Sequence, residues 1–178
     1  GPCEARIGDH ATINVPEGYQ YVGEQETQQL LEWMGNPTDG SELGMLVPST
    51  EEDEWFIVFE FSDIGYVSDD DREELDSDAL LESVRQGTEQ SNEERLRRGW
   101  PTMEIVGWER EPNYDTETNN LEWAIRAESE GEPVVNFNTR LLGREGVMEV
   151  NLVVDPDKLT GTLPEYKSLL SGYSYVTG

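Results

Sequence analysis

The chain has 178 residues, 35% of them apolar, with a formal net charge of −27 and a pI near 4.1. That length suits one domain around one core, and five Trp with seven Tyr supply large buried areas despite the modest apolar share. Two Lys and ten Arg against 39 acids argue against nucleic-acid binding and against charge-driven adhesion to an anionic membrane.

The acid excess reads first as a solvated, self-repelling surface and second as a site for cations or a basic partner. Scarce lysine beside abundant Asp and Glu fits a salt-adapted organism. The single cysteine, Cys3, allows no internal disulfide, and it is expected in a frayed terminus with nothing to activate a thiolate. No run reaches the roughly 18 apolar residues of a spanning helix, and no secretory apolar region is present.

In chain order, residues 11–16 (ATINVP) alternate and stop at a proline, which predicts a short strand, and 19–22 (YQYV) predict another. Residues 24–34 predict a helix with acids in its first turn. Leu30, Leu31 and Met34 form its expected inner face, and Gly35-Asn36-Pro37 stops it. Residues 43–48 predict a strand, and 55–67 (WFIVFEFSDIGYV) a long inner one.

The most acidic run, 68–76, leads into a helix from Asp78 to Arg98 with a thin inner stripe of Leu81, Val84, Thr88, Ser91 and Leu96. Gly87 interrupts it at a cost of about 1 kcal/mol against alanine, which suggests a close approach to a sheet. Arg95, Arg97 and Arg98 occupy the last turn, where cations suit the helix dipole. Residues 103–110, 121–129, 134–142 and 147–154 then predict a four-strand antiparallel meander. Residues 164–170 predict a short helix and 173–176 a final extended piece. The predicted fold class is α+β, in a single domain over 1–178: an antiparallel sheet packed by one long helix and shorter ones.

The stretch VNFNTRLLGREGVMEVNLVV (134–153) is the most informative. A three-residue loop would set Arg140 opposite Val150 and Asn138 opposite Leu152, mixing polar with apolar. A two- or four-residue loop pairs Val135 with Val154, Phe137 with Leu152, Thr139 with Val150 and Leu141 with Met148. The other face then pairs Arg140 with Glu149 and Asn138 with Asn151, with Asn136 alongside. A two-residue turn needs positive φ at Arg144 and Glu145, so a four-residue Gly143–Gly146 loop is expected. The polar face reads plainly as the solvent side of a sheet, or functionally as a pocket or partner surface.

Little recognisable chemistry stands beside it. The only histidine, His10, sits near a terminus and is expected to be exposed. No nucleophile elbow, phosphate loop or dinucleotide fingerprint occurs, and zinc would need more than one His and one Cys. Asp69, Asp71 and Glu73 alternate like calcium ligands, but the loop's glycine and closing glutamate are missing, so no metal or cofactor is expected. With 39 acids, chance carboxylate pairs are guaranteed and uninformative.

The motifs GYVSDDD (65–71), NEERLRRGWP (92–101), VGWEREPNYD (106–115), LEWA (121–124) and NTRLLGREGV (138–147) closely resemble one family. MGNP (34–37), LGMLVP (43–48) and residues 1–22 fit it too. It is the bacterial membrane-anchored family catalogued as domain of unknown function 2167. Arg72 stands where that family tends to have a small residue, and Met34 where it usually has Trp. The resemblance implies an extracytoplasmic domain held by a hydrophobic segment beyond the C-terminal end of this chain, which is then a soluble fragment. It also marks Asn36, Asp70, Asn92, Arg95, Trp108, Tyr114, Asp115, Trp123, Asn138, Arg140, Arg144 and Asn151 as more than decoration. They read as a ligand groove or as a structural network beneath the long helix.

The element order is similar to the sandwich of the PsbP and Mog1 proteins. The expected function is a non-catalytic envelope module that binds a protein partner or ligand while tethered to the membrane. The alternatives are a carboxylate-dependent hydrolase and a self-associating structural envelope component. A cleft with two carboxylates, one of them with a raised pKa, would favour the hydrolase.

Overall fold

The computed structural model describes residues 2–62, 76–118 and 120–176. The chain opens with β1 (Cys3–Ile7), β2 (Ala11–Val15), β3 (Tyr19–Val22) and helix α1 (Glu24–Trp33). Strands β4 (Glu42–Pro48) and β5 (Phe56–Ser62) precede the long helix α2 (Ser77–Arg97). The second half runs β6 (Glu104–Asp115), β7 (Asn120–Ser129), β8 (Glu132–Leu142), β9 (Val147–Val154), α3 (Leu159–Leu170) and β10 (Tyr173–Tyr175).

Seven strands form one antiparallel sheet in the order β3-β4-β5-β9-β8-β7-β6, and β1-β2-β10 form a smaller one. The predicted meander is therefore one wing of the large sheet, and β5 is an inner strand as expected. The part of its predicted range at 63–67 lies outside the described residues, as do Asp69, Asp70, Asp71 and Glu73.

The main core lies on one face of the large sheet. Ile57, Phe59, Val135, Phe137, Val150, Leu152 and Val154 are all buried there. They pack against the buried side of α3 (Leu159, Leu163, Tyr166, Leu169) and against Ile7, Ala11 and Ile13 of the small sheet. The Tyr166 ring meets Phe137 edge-on with centroids 5.6 Å apart, and its hydroxyl donates to Thr139 Oγ1 at 2.7 Å. Helix α3 starts five residues before the predicted 164, in spite of Pro164 inside it. Five buried side chains on one helix face outweigh the one backbone bond that proline removes.

Both other helices lie on the opposite face. Leu31 of α1 packs with Met45 and Val58. The buried face of α1 is Thr27 and Leu31, whereas Leu30 and Met34, expected inside, are 39% and 41% exposed. Helix α2 is started by Asp76, whose side chain accepts from the Asp78 and Ala79 amides at 3.0 and 3.2 Å. It packs against the edge strand β6, and its Leu80, Val84 and Thr88 face residues of β7, β8 and β9 across a cavity. Its stripe also departs from expectation at the end. Leu96 is 67% exposed, and Arg95 takes the inward position. Gly87 faces open space, so it does not serve a close helix–sheet approach.

Two further expectations change. Cys3 is not in a frayed end but in β1, opposite Val15, with its side chain exposed. His10 is half-buried and stacks on Phe61, with ring centroids 3.6 Å apart.

The β8–β9 hairpin has the segregated register in full, from Val135–Val154 to Leu141–Met148, with Asn138–Asn151 and Arg140–Glu149 on the other face. Its loop is the four residues 143–146, closed by the Gly143 amide donating to the Gly146 carbonyl at 2.9 Å. The two glycines are required by neighbours rather than by turn conformation. A methyl on Gly146 would overlap the Ser62 carbonyl oxygen, and one on Gly143 would meet the Tyr175 ring. At the far edge, β6 breaks register with β7 three times, between Ile105 and Gly107, Trp108 and Arg110, and Arg110 and Asn113.

Candidate functional site

Helix α2 lies alongside part of the hairpin's polar face, which stays partly open to solvent: the Arg140 and Glu149 side chains are 33% and 39% exposed. Strand pairing sets its side chains in rows. One row is Glu42, Glu60, Glu149 and Arg140, running from β4 to β8. The next is Val58, Asn151, Asn138 and Trp123, and the third is Phe56, Val153, Asn136 and Ile125.

Two adjoining cavities separate these rows from the helices. One, of about 350 Å³, lies under the first half of α2. Leu80, Val84, Thr88, Met103 and Ile125 wall it, and Trp123, Asn136, Asn138, Arg140, Glu149 and Asn151 reach it. The other, of about 430 Å³, lies toward α1. Leu31, Met34, Phe56, Val58 and Val153 wall it, with Asn36, Glu42, Glu60 and Arg95 as polar groups. Met103, Asn136 and Asn151 line both, so together they read as one cleft.

In the first cavity the Arg140 guanidinium lies 4.7 Å over the centre of the buried Trp123 ring. Its Nη2 is 3.6 Å from Glu149, a half-exposed pair that contributes little to stability. Asn151 Nδ2 donates to Asn136 Oδ1 at 3.3 Å, and Asn138 Nδ2 donates to the Asn136 carbonyl oxygen at 3.2 Å.

The seam between α1 and α2 holds a second set. Arg95 is buried, and among the described residues its donors meet neutral acceptors: the Gly35 carbonyl at 3.3 Å, Asn92 Oδ1 at 3.0 Å and Asn36 Oδ1 at 3.3 Å. Asn92 in turn pairs both ways with the Met103 backbone, donating at 2.7 Å and accepting at 2.9 Å. Burial pulls the Arg95 pKa below its ordinary value, but a guanidinium stays charged. Arg95 is thus a tie between helices rather than only a complement to the helix dipole.

Glu42 is buried and satisfied by the Asp39 and Gly40 amides at 3.2 and 3.0 Å. Glu60, next to it, has no such donors among the described residues. Burial first, then the charges of Glu149, Glu42 and Asp39, push its pKa up to about 7. A carboxyl so placed changes charge near neutral pH.

The structure therefore brings Asn136, Asn138, Arg140, Glu149, Asn151 and Trp123 to one cavity, and Asn36 and Arg95 to its neighbour. Others lie elsewhere. Trp108 of β6 pairs with Ile125 of β7, and its indole Nε1 is buried with no partner among the described residues. Tyr114 and Asp115 end β6, opposite Leu121 and Asn120. Asp115 lies 3.9 Å from Lys167 of α3, which also reaches Glu122 at 3.6 Å, so it belongs to the opposite side of the sheet. Arg144 is exposed in the hairpin loop.

Glu60 and Glu42 escaped the sequence reading because acids are so common here. The usable signal is a lone Glu in the apolar run WFIVFEF, on the strand face away from Ile57 and Phe59. Among the described residues no cluster of three or more His, Cys, Asp or Glu could hold a metal ion, and no helix is long and apolar enough to cross a membrane.

The family described as protein of unknown function (DUF2167) matches residues 1–178. The chain belongs to that family. No curated protein matches it. Among solved structures it is similar to cyanobacterial PsbP (CyanoP) from Synechocystis sp. PCC 6803, with a TM-score of 0.55 at 9% identity over 97% of this chain and 90% of that one. At that identity the likeness shows the fold, an α+β sandwich of PsbP type. LpqN of Mycobacterium tuberculosis, described as involved in cell envelope biogenesis, aligns over 99% of this chain and 91% of its own at 10% identity. Its TM-score of 0.42 is too low to carry an argument.

Proposed function

We propose that this protein is a non-catalytic binding module of the cell envelope, tethered to the membrane outside the described residues, and that its ligand or partner segment occupies the cleft between α2 and the polar sheet face. The observation that carries this reading is the cleft's make-up. Apolar walls surround a few convergent amides, a guanidinium and carboxylates, the pattern of a recognition site. The tether and the extracytoplasmic setting are supported by the motifs quoted above, and binding of a protein partner is consistent with the cleft's open side. The test is a fragment screen by ¹H–¹⁵N NMR. Compounds should shift the indole of Trp123 and the side-chain amides of Asn138 and Asn151. A screen in which no compound perturbs those signals sinks the proposal.

One observation favours a second reading, a carboxylate-dependent hydrolase. Glu60, its pKa pushed up to about 7, faces Glu149 directly across the ladder, and two facing carboxyls are what acid–base hydrolysis uses. Chromogenic glycosides and esters would reveal it. Turnover that disappears in Glu60→Gln supports the enzyme, and absence of turnover on every substrate class removes it.

A further inference from the structure

The apolar wall of the cavity toward α1 continues onto the outside of that helix. Met34 lines the cavity, and Leu30, Trp33 and Met34, spaced i, i+3 and i+4, share one exposed flank of α1 and its end. Trp33 is 84% exposed, the most of the three. Inside, the half-buried Phe56, Val153, Val134 and Met103 carry the apolar surface across the sheet. Lone exposed apolar residues are ordinary, but a surface that runs from a helix flank into a cavity of about 430 Å³ is a groove that lacks its filling. Methionines on two of its walls, Met34 and Met103, can adapt to an incoming side chain.

Charge decides what fills it. Glu60 stands half-buried on the cavity wall, and its oxygens are not sealed off as Asn151 Oδ1 is. The charged groups around it are Glu149 of β9, Glu42 of β4 and Asp39 of the loop before β4, with Arg140 of β8 beyond Glu149. Arg95 reaches the same cavity from α2, but its donors are spent on Gly35, Asn36 and Asn92. Arg98, one turn on, is paired with Glu94 and Glu32. An incoming cation is therefore attracted, an anion repelled, and a neutral group leaves Glu60 without a partner. A second copy of this chain, at a net charge of −27, is repelled as well.

A lysine meets both demands. Its aliphatic stem lies along an apolar wall, and its compact ammonium suits a single carboxyl at the end of that wall. Resting on the binding reading above, we infer that this groove docks a segment of a partner protein in which a lysine beside large apolar residues sets its ammonium at Glu60, while those apolar neighbours cover Leu30, Trp33 and Met34.

The test titrates three capped peptides into the protein by calorimetry: acetyl-Leu-Xaa-Leu-Ser-Gly-amide with lysine, norleucine or glutamate at Xaa. The lysine peptide should bind at least about tenfold tighter than the norleucine one, and the glutamate peptide weakest of all. Burial and the neighbouring acids push the Glu60 pKa up to about 7, and only its ionised form attracts the ammonium. Affinity for the lysine peptide should therefore rise about three- to tenfold from pH 6 to pH 8, and that for the norleucine peptide should not. Glu60→Gln should bring the lysine peptide down to the norleucine level and remove its pH dependence. Trp33→Ala, at an exposed position outside the core, should weaken both peptides by at least about threefold.

Equal affinity for the lysine and norleucine peptides, no binding by any peptide, or binding unchanged in the two variants overturns the inference. Sedimentation that shows the protein pairing with itself, and losing that in Trp33→Ala, would make a second copy the occupant and overturns it too. Fragments that shift the cleft signals while the lysine peptide fails to bind would end this inference and leave the binding reading intact. A cleft that answers to neither would end both.

Discussion

Glu60 and Glu149 face each other across the β5–β9 ladder, with Glu42 opposite Glu60 on β4. Three carboxyls in a row on a covered sheet face raise the pKa of the one with the fewest donors. Glu60 titrates near 7 in the folded protein against an ordinary 4.5. Its folded pKa is raised, so its contribution is complete below pH 4.5 and is lost as pH rises through 7. Glu60→Gln should raise stability by less than about 1 kcal/mol at pH 5 and by roughly 1–3 kcal/mol more at pH 8. Urea unfolding of both proteins at the two pH values, in constant salt, checks this. An equal effect at both would show that Glu60 is ionised throughout.

Arg95 binds Gly35, Asn36 and Asn92 at once, so it holds the end of α1 against α2. Arg95→Leu should cost about 2–3 kcal/mol, because it strands buried acceptors. Arg95→Lys should recover less than half, since a single ammonium cannot reach three acceptors in a fixed fork. Denaturant midpoints for the two variants give the ranking, and a lysine variant as stable as the parent would contradict it.

The two glycine substitutions should move in opposite directions. Gly146→Ala should destabilise by about 1–3 kcal/mol, because the methyl meets the Ser62 carbonyl in a buried site. Gly87→Ala meets nothing and sits mid-helix, so it should stabilise by up to about 1 kcal/mol. Thermal melts of the pair should bracket the parent.

The buried bond from the Tyr166 hydroxyl to Thr139 gives a coupled prediction. Thr139→Val leaves that hydroxyl buried without an acceptor and should cost about 1–3 kcal/mol. Adding Tyr166→Phe should return most of the loss, because the orphaned group is gone. A double-mutant cycle measures the coupling, and simple additivity would refute it.

The hairpin register was legible because side-chain period two allowed only one arrangement that keeps Phe137 and Leu152 away from Asn138 and Asn151. The long helix was legible from the acidic run before it and the three arginines in its last turn. Which face that helix covers was not. An amphipathic helix is expected on an apolar face, but α2 has so thin a stripe that it sits on the polar one, and the short α3 takes the main core. For the same reason Leu96 was read as inward, whereas Arg95, marked as part of a groove or a network beneath the long helix, takes the inward position. Glu60 was hidden among 39 acids, and only strand pairing reveals which carboxyls stand in a row. Asp115 and Arg144 could not be separated from the cleft by motif alone, because both lie in segments that local sequence does not place.

The broken register along β6 bears on how copies of this protein can meet. An open sheet edge normally offers a regular row of N–H and C=O groups to any passing strand. Here three shifts within twelve residues put that row out of step, and Pro112 removes one donor outright. The opposite edge, β3, is only four residues long. Neither border can template a matching strand over a useful length, so the sheet is self-terminating. Association through either border of this sheet would have to be cemented by side chains, and subunits so joined would part under conditions that leave the sheet whole.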